Sequence, residues 1–387
     1  MTGRPFARLR LLLLCLALAA CSSQPPPTSG PTPTTFATPT ATPTAEPAPT
    51  ASPSPSVAPD PTASLMPPAS PHSTPTSSAT PPAPEPMVRL MAVGDVMLAQ
   101  TIGRRIERDG VLAPWAGVVD TFAQADLVFA NLECTISERG TPAHKSFTFR
   151  APPDAADSIV AAGMDVVSLA NNHAIDYGVP ALRDTMAALG ARGVSHAGAG
   201  ENAAQAHAPA IIERDGLRIA LLAYVARLGE RTGFATRQWA AGPDEPGLAM
   251  ARPALVAQDV VAARTRADVV IVSVHGGREY HRSPSRAQRS VAAAALGAGA
   301  ALVIGHHPHV LQGYQLGDNT LVAYSLGNFV FDQFEGRPND SVILDVTLTA
   351  DGVSEVSWIP VMVRNGFPHL AQGEDADRIL GRIPQLR

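Results

Sequence analysis

Short, continuous apolar runs rich in valine, isoleucine and leucine recur along the chain: Val88–Val93, Leu127–Ala130, Val166–Leu169, Ile219–Tyr224, Val269–Val274, Ala301–Ile304 and Leu321–Tyr324. Strands covered on both faces stay apolar at successive positions instead of alternating, so these runs predict interior strands. Between several of them, Asp154–Ala162, Val179–Arg192, Ala254–Arg266 and Ser285–Leu296 place Ala, Leu and Val at helical spacing. This alternation predicts an α/β domain whose strands are flanked by helices. The end of the chain reads differently: Ser341–Thr349, Asp351-Gly352 and Val353–Val363 predict a β-hairpin with an Asp-Gly turn.

Polar residues gather where the apolar runs stop. Val88–Val93 runs into Gly94-Asp95, Leu127–Ala130 into Asn131-Leu132-Glu133, and Val166–Ala170 into Asn171-Asn172-His173 with Asp176 beyond. Val269–Val274 ends in His275 with Glu279 beyond, Ala301–Ile304 in Gly305-His306-His307-Pro308-His309, and Leu321–Tyr324 in Ser325, Gly327 and Asn328. Ligand sites of α/β sheets lie at the carboxyl ends of strands. Imidazole, carboxylate and amide oxygen together suit divalent Mn, Zn or Fe, and the lack of thiolates argues against a structural zinc site. A lone histidine is ordinarily a core or surface residue; the grouping after strands is what points to a metal site. His307 and His309, two apart on an extended segment, would share a face. His144, His196, His207 and His369 lack this setting, and His281 is a weaker supporting candidate.

The N-terminal part has a different character. Arg4, Arg8 and Arg10 precede an apolar run from Leu11 to Ala20, with Cys21 directly after Ala19-Ala20. A cationic start, a short apolar run and small residues before the cut predict a signal peptide over residues 1–20. The run is too short to span a bilayer, which takes about 20 apolar residues. Leu18-Ala19-Ala20-Cys21 also looks like a bacterial lipobox, making Cys21 the site of lipidation and of membrane attachment. Residues 21–86 are almost entirely Pro, Thr, Ser and Ala, which cannot bury enough apolar surface to offset ordering entropy; they predict a disordered stalk ahead of a domain over 87–387.

Of the three cysteines, Cys15 leaves with the signal and Cys21 carries lipid, so Cys134 has no partner for an internal disulfide. The net charge is −5, with Lys145 the single lysine and no basic block, which argues against a nucleic-acid partner. The expected location is the extracytoplasmic face of the cell membrane, or an outer membrane where the cell has one.

At the strand-end residues the chain resembles the CapA family, the poly-γ-glutamate capsule synthesis proteins, whose domain is similar to calcineurin-like metallophosphoesterases. The stretches that carry the resemblance include Val93-Gly94-Asp95-Val96-Met97-Leu98, Ala130-Asn131-Leu132-Glu133, Asn171-Asn172-His173 with Asp176-Tyr177-Gly178, and Val274-His275-Gly276-Gly277. Gly305-His306-His307-Pro308-His309 and Tyr324-Ser325-Leu326-Gly327-Asn328 complete the set, in the family's order. The resemblance implies a four-layer α-β-β-α sandwich and a centre of one or two divalent ions. It further implies that Asp95, Glu133, Asn172, His275, His307 and His309 are the ligands, and that His173 is the catalytic imidazole oriented by Asp176. Asn131 and Asn328, with Lys145 and Arg150 as cations, are the expected substrate contacts. One departure matters: the histidine of the phosphoesterase Asp-x-His motif is Met97 here, and a thioether is a poor ligand for a hard ion. His306 is an extra histidine, expected to point away from its neighbour His307.

The expected activity is metal-dependent hydrolysis of a phosphoester or related linkage in an anionic polymer. The rival expectation is a non-catalytic metal-containing protein that binds the polymer or docks on a membrane synthase complex.

Overall fold

The computed structural model describes residues 85–332 and 339–387. The chain divides into two units, Met1–Ser78 and Ala79–Arg387. The first lies wholly outside the described residues, and with it the expected signal peptide, Cys21 and nearly all of the stalk.

Among the described residues, regular structure starts at Val88, where the composition changes. Strands β1 (Val88–Val96), β2 (Leu127–Leu132), β3 (Val166–Ser168) and β4 (Ser195–Ala197) lie side by side in parallel. The chain then builds a second sheet from β5 (Ala210–Arg214), β6 (Leu217–Val225), β7 (Val269–His275), β8 (Leu302–His306), β9 (Tyr314–Leu316) and β10 (Leu321–Ala323). It returns to the first sheet with β11 (Asn328–Val330), β12 (Asp340–Thr349), β13 (Gly352–Arg364) and β14 (Phe367–Leu370). The first sheet runs β14-β13-β12-β1-β2-β3-β4, with β11 parallel to the end of β1; the second runs β9-β10-β8-β7-β6-β5.

Side-chain alternation along the second sheet explains the layering. On β6, Ile219, Leu221, Ala223 and Val225 join the core shared with the first sheet. Their neighbours Ala220, Leu222 and Tyr224 point the other way, onto Val256, Val260 and Ala263 of α4 (Pro253–Arg264) and Val291, Ala292 and Ala295 of α5 (Arg286–Gly297). Both faces are apolar because both are covered, which is why the sequence shows runs and no alternation. Helices α1 (Gln100–Asp109), α2 (Asp154–Ala161) and α3 (Gly178–Gly190) insert Ile102, Ile106, Ile159, Leu182 and Leu189 into the core of the first sheet. The result is the expected four-layer α-β-β-α sandwich. A capping box starts α5: the Ser285 side chain accepts from the Gln288 backbone N–H, and the Gln288 side chain accepts from the Ser285 N–H.

The C-terminal hairpin forms as β12 and β13, but its turn falls one residue earlier than expected, on Ala350 and Asp351, with Gly352 opening β13 at φ +121°. Asn328 is also relocated. It does not sit at the end of β10; it opens β11 in the other sheet, opposite Asp95. That crossing requires close backbone approach: the Asp95 N–H donates to the Gly327 carbonyl at 3.0 Å, and a Cβ on Gly94 would lie 1.9 Å from that oxygen. Gly94→Ala is therefore expected to cost roughly 1–3 kcal/mol by overpacking, read as a lower thermal midpoint.

Candidate metal centre

Asp95 lies within β1, flanked by Asn131 of β2 on one side and Asn328 of β11 on the other. Glu133 follows β2 by one residue, and Asn171, Asn172 and His173 follow β3. His275 ends β7 and pairs with His306, the last residue of β8. The edges of both sheets therefore meet at one place.

After β8 the chain does not stay extended, as the His-x-His reading assumed. His307 has φ +92° and His309 φ +56°, left-handed conformations that non-glycine residues seldom adopt, at a cost of roughly 1–3 kcal/mol each. The His307 N–H donates to Asp95 Oδ2 at 3.2 Å, which helps hold the turn. The expectation for His306 is also corrected: on β8 it shares the face of Leu302 and Ile304, which turns it toward the first sheet. Instead of pointing away, its Nδ1 lies 3.4 Å from Asp95 Oδ1, while His309 Nδ1 lies 3.2 Å from Asp95 Oδ2. Met97 meanwhile is fully buried in the core, with its sulfur accepting the Ala99 N–H at 3.1 Å. His306 thus brings an imidazole to Asp95 where Met97 brings none.

The donor atoms of Asp95, Glu133 and His275 lie within 4.8 Å of one another, as do those of Glu133, His307 and His309. Asn172 Oδ1 is 2.7 Å from His275 Nε2. The amides of Asn131 and Asn328 are turned toward ligands and away from open space. Asn131 Nδ2 contacts Asp95 Oδ1 at 2.9 Å and His275 Nδ1 at 3.1 Å, and Asn328 Oδ1 is 2.8 Å from His309 Nδ1. Asn171, which had no role assigned from the sequence, donates to Asn131 Oδ1 at 3.2 Å and accepts the His173 N–H at 3.0 Å.

Whether this cluster suits a metal ion can be judged from its unmet valences. Both carboxylate oxygens of Glu133, Nε2 of His306 and Nδ1 of His307 are buried without a hydrogen-bond partner among the described residues, and His306 Nδ1 has only the long contact to Asp95. Buried polar groups are ordinarily paired, and an isolated buried carboxylate is costly. Converging unpaired oxygen and nitrogen lone pairs is what a divalent cation satisfies, so the residues fit.

Electrostatics agree. Burial alone would raise the Asp95 carboxyl, but the imidazoles of His306, His309 and His275 hold it well below the usual carboxylate range. Glu133 is pushed well above that range, by burial first and the charge of Asp95 second. Burial lowers His307 to about 3 and also lowers His275. His309 resists burial, because the Glu133 and Asp95 carboxylates raise it to about 9. At neutral pH, metal-free His309 therefore carries a proton that a ligand imidazole cannot keep. Binding a divalent ion at pH 7 is expected to release at least about one proton per chain, with affinity rising as pH approaches that of His309. Calorimetry in buffers of different ionisation enthalpy reads this count, and a value near zero would contradict it.

His173 stands beside the ligands, with Nε2 3.9 Å from Glu133 Oε1, Nδ1 2.6 Å from Asp176 Oδ2, and its ring stacked on Phe149 at 4.1 Å. A cleft of about 780 Å³ opens over Asn172, His173 and His307, lined by Arg227, Arg231 and Arg278 together with Glu230 and Glu279. Arg227 and Arg231 come from the loop after β6, which the apolar pattern did not single out. The two cations expected to hold substrate do not line that cleft. The Arg150 guanidinium packs on the Tyr177 ring at 4.3 Å and its residue lines a separate depression. The Lys145 side chain is fully buried in an ion pair with Asp176.

Comparison with known proteins places this geometry in a family. Residues 89–333 match the model of the bacterial capsule synthesis protein family PGA_cap. The chain belongs to that family. It is similar to the PGA biosynthesis protein CapA of Bacillus subtilis, at 30% identity over 71% of this chain and 72% of the relative. It is also similar to the capsule biosynthesis protein CapA of Bacillus anthracis, at 30% identity over 71% and 67%. Among solved structures, a Staphylococcus aureus protein assigned as a 5′-nucleotidase, in complex with α-ketoglutarate, overlaps 76% of this PGA_cap chain and 58% of its own, with a TM-score of 0.41 and 13% identity.

Proposed function

We propose that this PGA_cap protein is a divalent-metal-dependent hydrolase of a phosphoester or related linkage in an anionic polymer. In this reading it is held on the extracytoplasmic face of the membrane by lipid on Cys21 and a stalk over residues 21–86. The observation that carries the catalytic part is Glu133, a buried carboxylate with no hydrogen-bond partner among the described residues, set among the imidazoles of His275, His307 and His309. Two overlapping donor groups share Glu133. Asp95 and His275 would complete one and His307 and His309 the other, with His306 beside Asp95, Asn172 beside His275, and Asn131 and Asn328 orienting them. Bound there, one or two ions of Mn, Zn or Fe type supply acidified water and charge stabilisation at the scissile group.

The protein's own groups do the rest. His173 faces the cleft beside Glu133, with its Nδ1 anchored on Asp176 and its Nε2 free to give a proton to a leaving oxygen. The arginines of the cleft suit an anionic chain, in keeping with relatives named for PGA and capsule biosynthesis. The test is hydrolysis of phosphomonoesters and phosphodiesters by the purified protein with Mn²⁺, alongside binding of polyglutamate. Metal-dependent turnover is the expected result. Tight polyglutamate binding with no turnover of any ester would overturn catalysis in favour of a polymer-binding or synthase-accessory role.

A further inference from the structure

We propose that Lys145 is a positioning residue for the proton donor, acting through Asp176, and not a cation that meets substrate; this rests on the reading of His173 as general acid. Lys145 reaches the site from the segment between residues 137 and 149, and neither its side chain nor that of Asp176 is exposed at all. An ammonium has three N–H donors. One goes to Asp176 Oδ1 at 2.6 Å and one to the backbone carbonyl of Asn172. The charge also lies 4.9 Å from the Phe234 ring centroid and 5.0 Å from that of Trp239, both on the loop after β6, and 4.0 Å from Glu230 Oε1. The ammonium also lies 3.3 Å from His173 Nδ1, so its near neighbours are Asp176, Asn172 and His173 and its side chain is not presented to the cleft.

What Lys145 controls is the orientation of Asp176. One carboxylate oxygen is taken by Lys145; the other accepts from the Phe149 N–H at 2.7 Å and meets His173 Nδ1 at 2.6 Å. The carboxylate is thereby fixed in plane and direction, and with it the imidazole, whose face is closed by Phe149. Through the Asn172 carbonyl the same ammonium braces the residue whose amide reaches His275. Glu230 ties the arrangement to the second sheet, since it also accepts the Ser146 N–H at 2.8 Å. A purely stabilising ion pair would need neither the aim at His173 nor the contact with Asn172.

The test compares the metal-loaded full chain with Lys145→Met and His173→Ala on two phosphodiesters. One has an activated p-nitrophenolate leaving group, which needs no protonation; the other has an alkoxide leaving group, which does. Because Lys145→Met leaves Asp176 buried without its cation, Lys145→Gln, whose neutral amide is polar but too short to hold both Asp176 and the Asn172 carbonyl, is a second arm in case the first variant does not fold. Both Lys145 variants are expected to lose about a hundredfold on the alkyl ester and less than about threefold on the nitrophenyl ester, as His173→Ala should. Equal loss on both esters by the Lys145 variants, with His173→Ala still selective, overturns this inference and leaves the acid assignment standing. An unselective His173→Ala overturns the acid assignment and the inference with it. Independently of turnover, NMR of the His173 Nδ1 proton should show slow exchange in the wild type and fast exchange in Lys145→Met; unchanged protection in the variant would refute the positioning role even if no ester is cleaved.

Discussion

Glu133→Ala is expected to yield a folded protein that no longer retains its metal and no longer hydrolyses ester. Glu133 Oε1 is 3.6 Å from His275 Nε2 and 3.9 Å from both His173 Nε2 and His309 Nε2, so it is the one carboxylate common to both donor groups. Loss of an outer partner of a metal ligand typically costs about 10- to 100-fold in affinity; loss of a shared ligand should exceed about 100-fold. Stability should move in the opposite direction. In the metal-free protein Glu133 is a buried, unpartnered carboxyl whose ionisation is disfavoured. Its folded pKa lies above the unfolded value, so the folded state holds the extra proton between the two. Stability from this group is present at low pH and falls as pH rises through the ordinary carboxylate range and on to the folded value. Glu133→Gln removes that penalty. Thermal melts should show the variant more stable than wild type without metal at neutral pH, and far less stabilised when metal is added.

The second large effect is at His173. His173→Ala should lower kcat by about 10²- to 10⁴-fold on esters with poor leaving groups while leaving metal content intact. The imidazole is held by Asp176 and Phe149, its backbone N–H by Asn171, and neither donor group that can hold an ion includes it. Burial, and then the Lys145 charge against the opposing pull of Asp176, place His173 below the ordinary imidazole value. A donor must be protonated to act, so activity should decline with rising pH from a point below that of free imidazole. The variant should lack this limb. Retention of full activity on the alkyl ester would remove His173 from the chemistry.

How much of this was legible beforehand follows from physical scale. Strands such as β1, β2, β6 and β7 announce themselves because both faces are buried, and a run of valines and leucines has few other uses. The ligands were legible for the same reason: a polar residue directly after such a run, as His275 after Val274, stands at the rim of a sheet. Edge strands were not. Ala210–Arg214 is half exposed and Tyr314–Leu316 ends on an exposed leucine, so neither leaves a continuous apolar signature. The pattern places Asn328 at the end of β10 because a three-residue β11 in another sheet, entered through a glycine turn, leaves no apolar run of its own.

Backbone conformation accounts for His306. Alternation along β8 puts His306 on the face of Leu302 and Ile304, toward the first sheet and Asp95, and the positive φ of His307 and His309 is what departs from an extended run after it. From the sequence alone Lys145 and Arg150 look like substrate cations because both lie in a polar stretch between strands. Burial of the first and stacking of the second are consequences of tertiary packing. The one available hint was that Lys145 is the single lysine of an otherwise arginine-only chain.

The claim on which the rest depends is that these residues form a metal centre. Elemental analysis of the purified wild-type protein, after exhaustive dialysis against metal-free buffer, measures it directly. The account predicts about one to two divalent ions per chain, lost in Glu133→Ala. A content well below about one ion per chain, with the wild-type thermal midpoint unmoved by added Mn²⁺ or Zn²⁺, would contradict it.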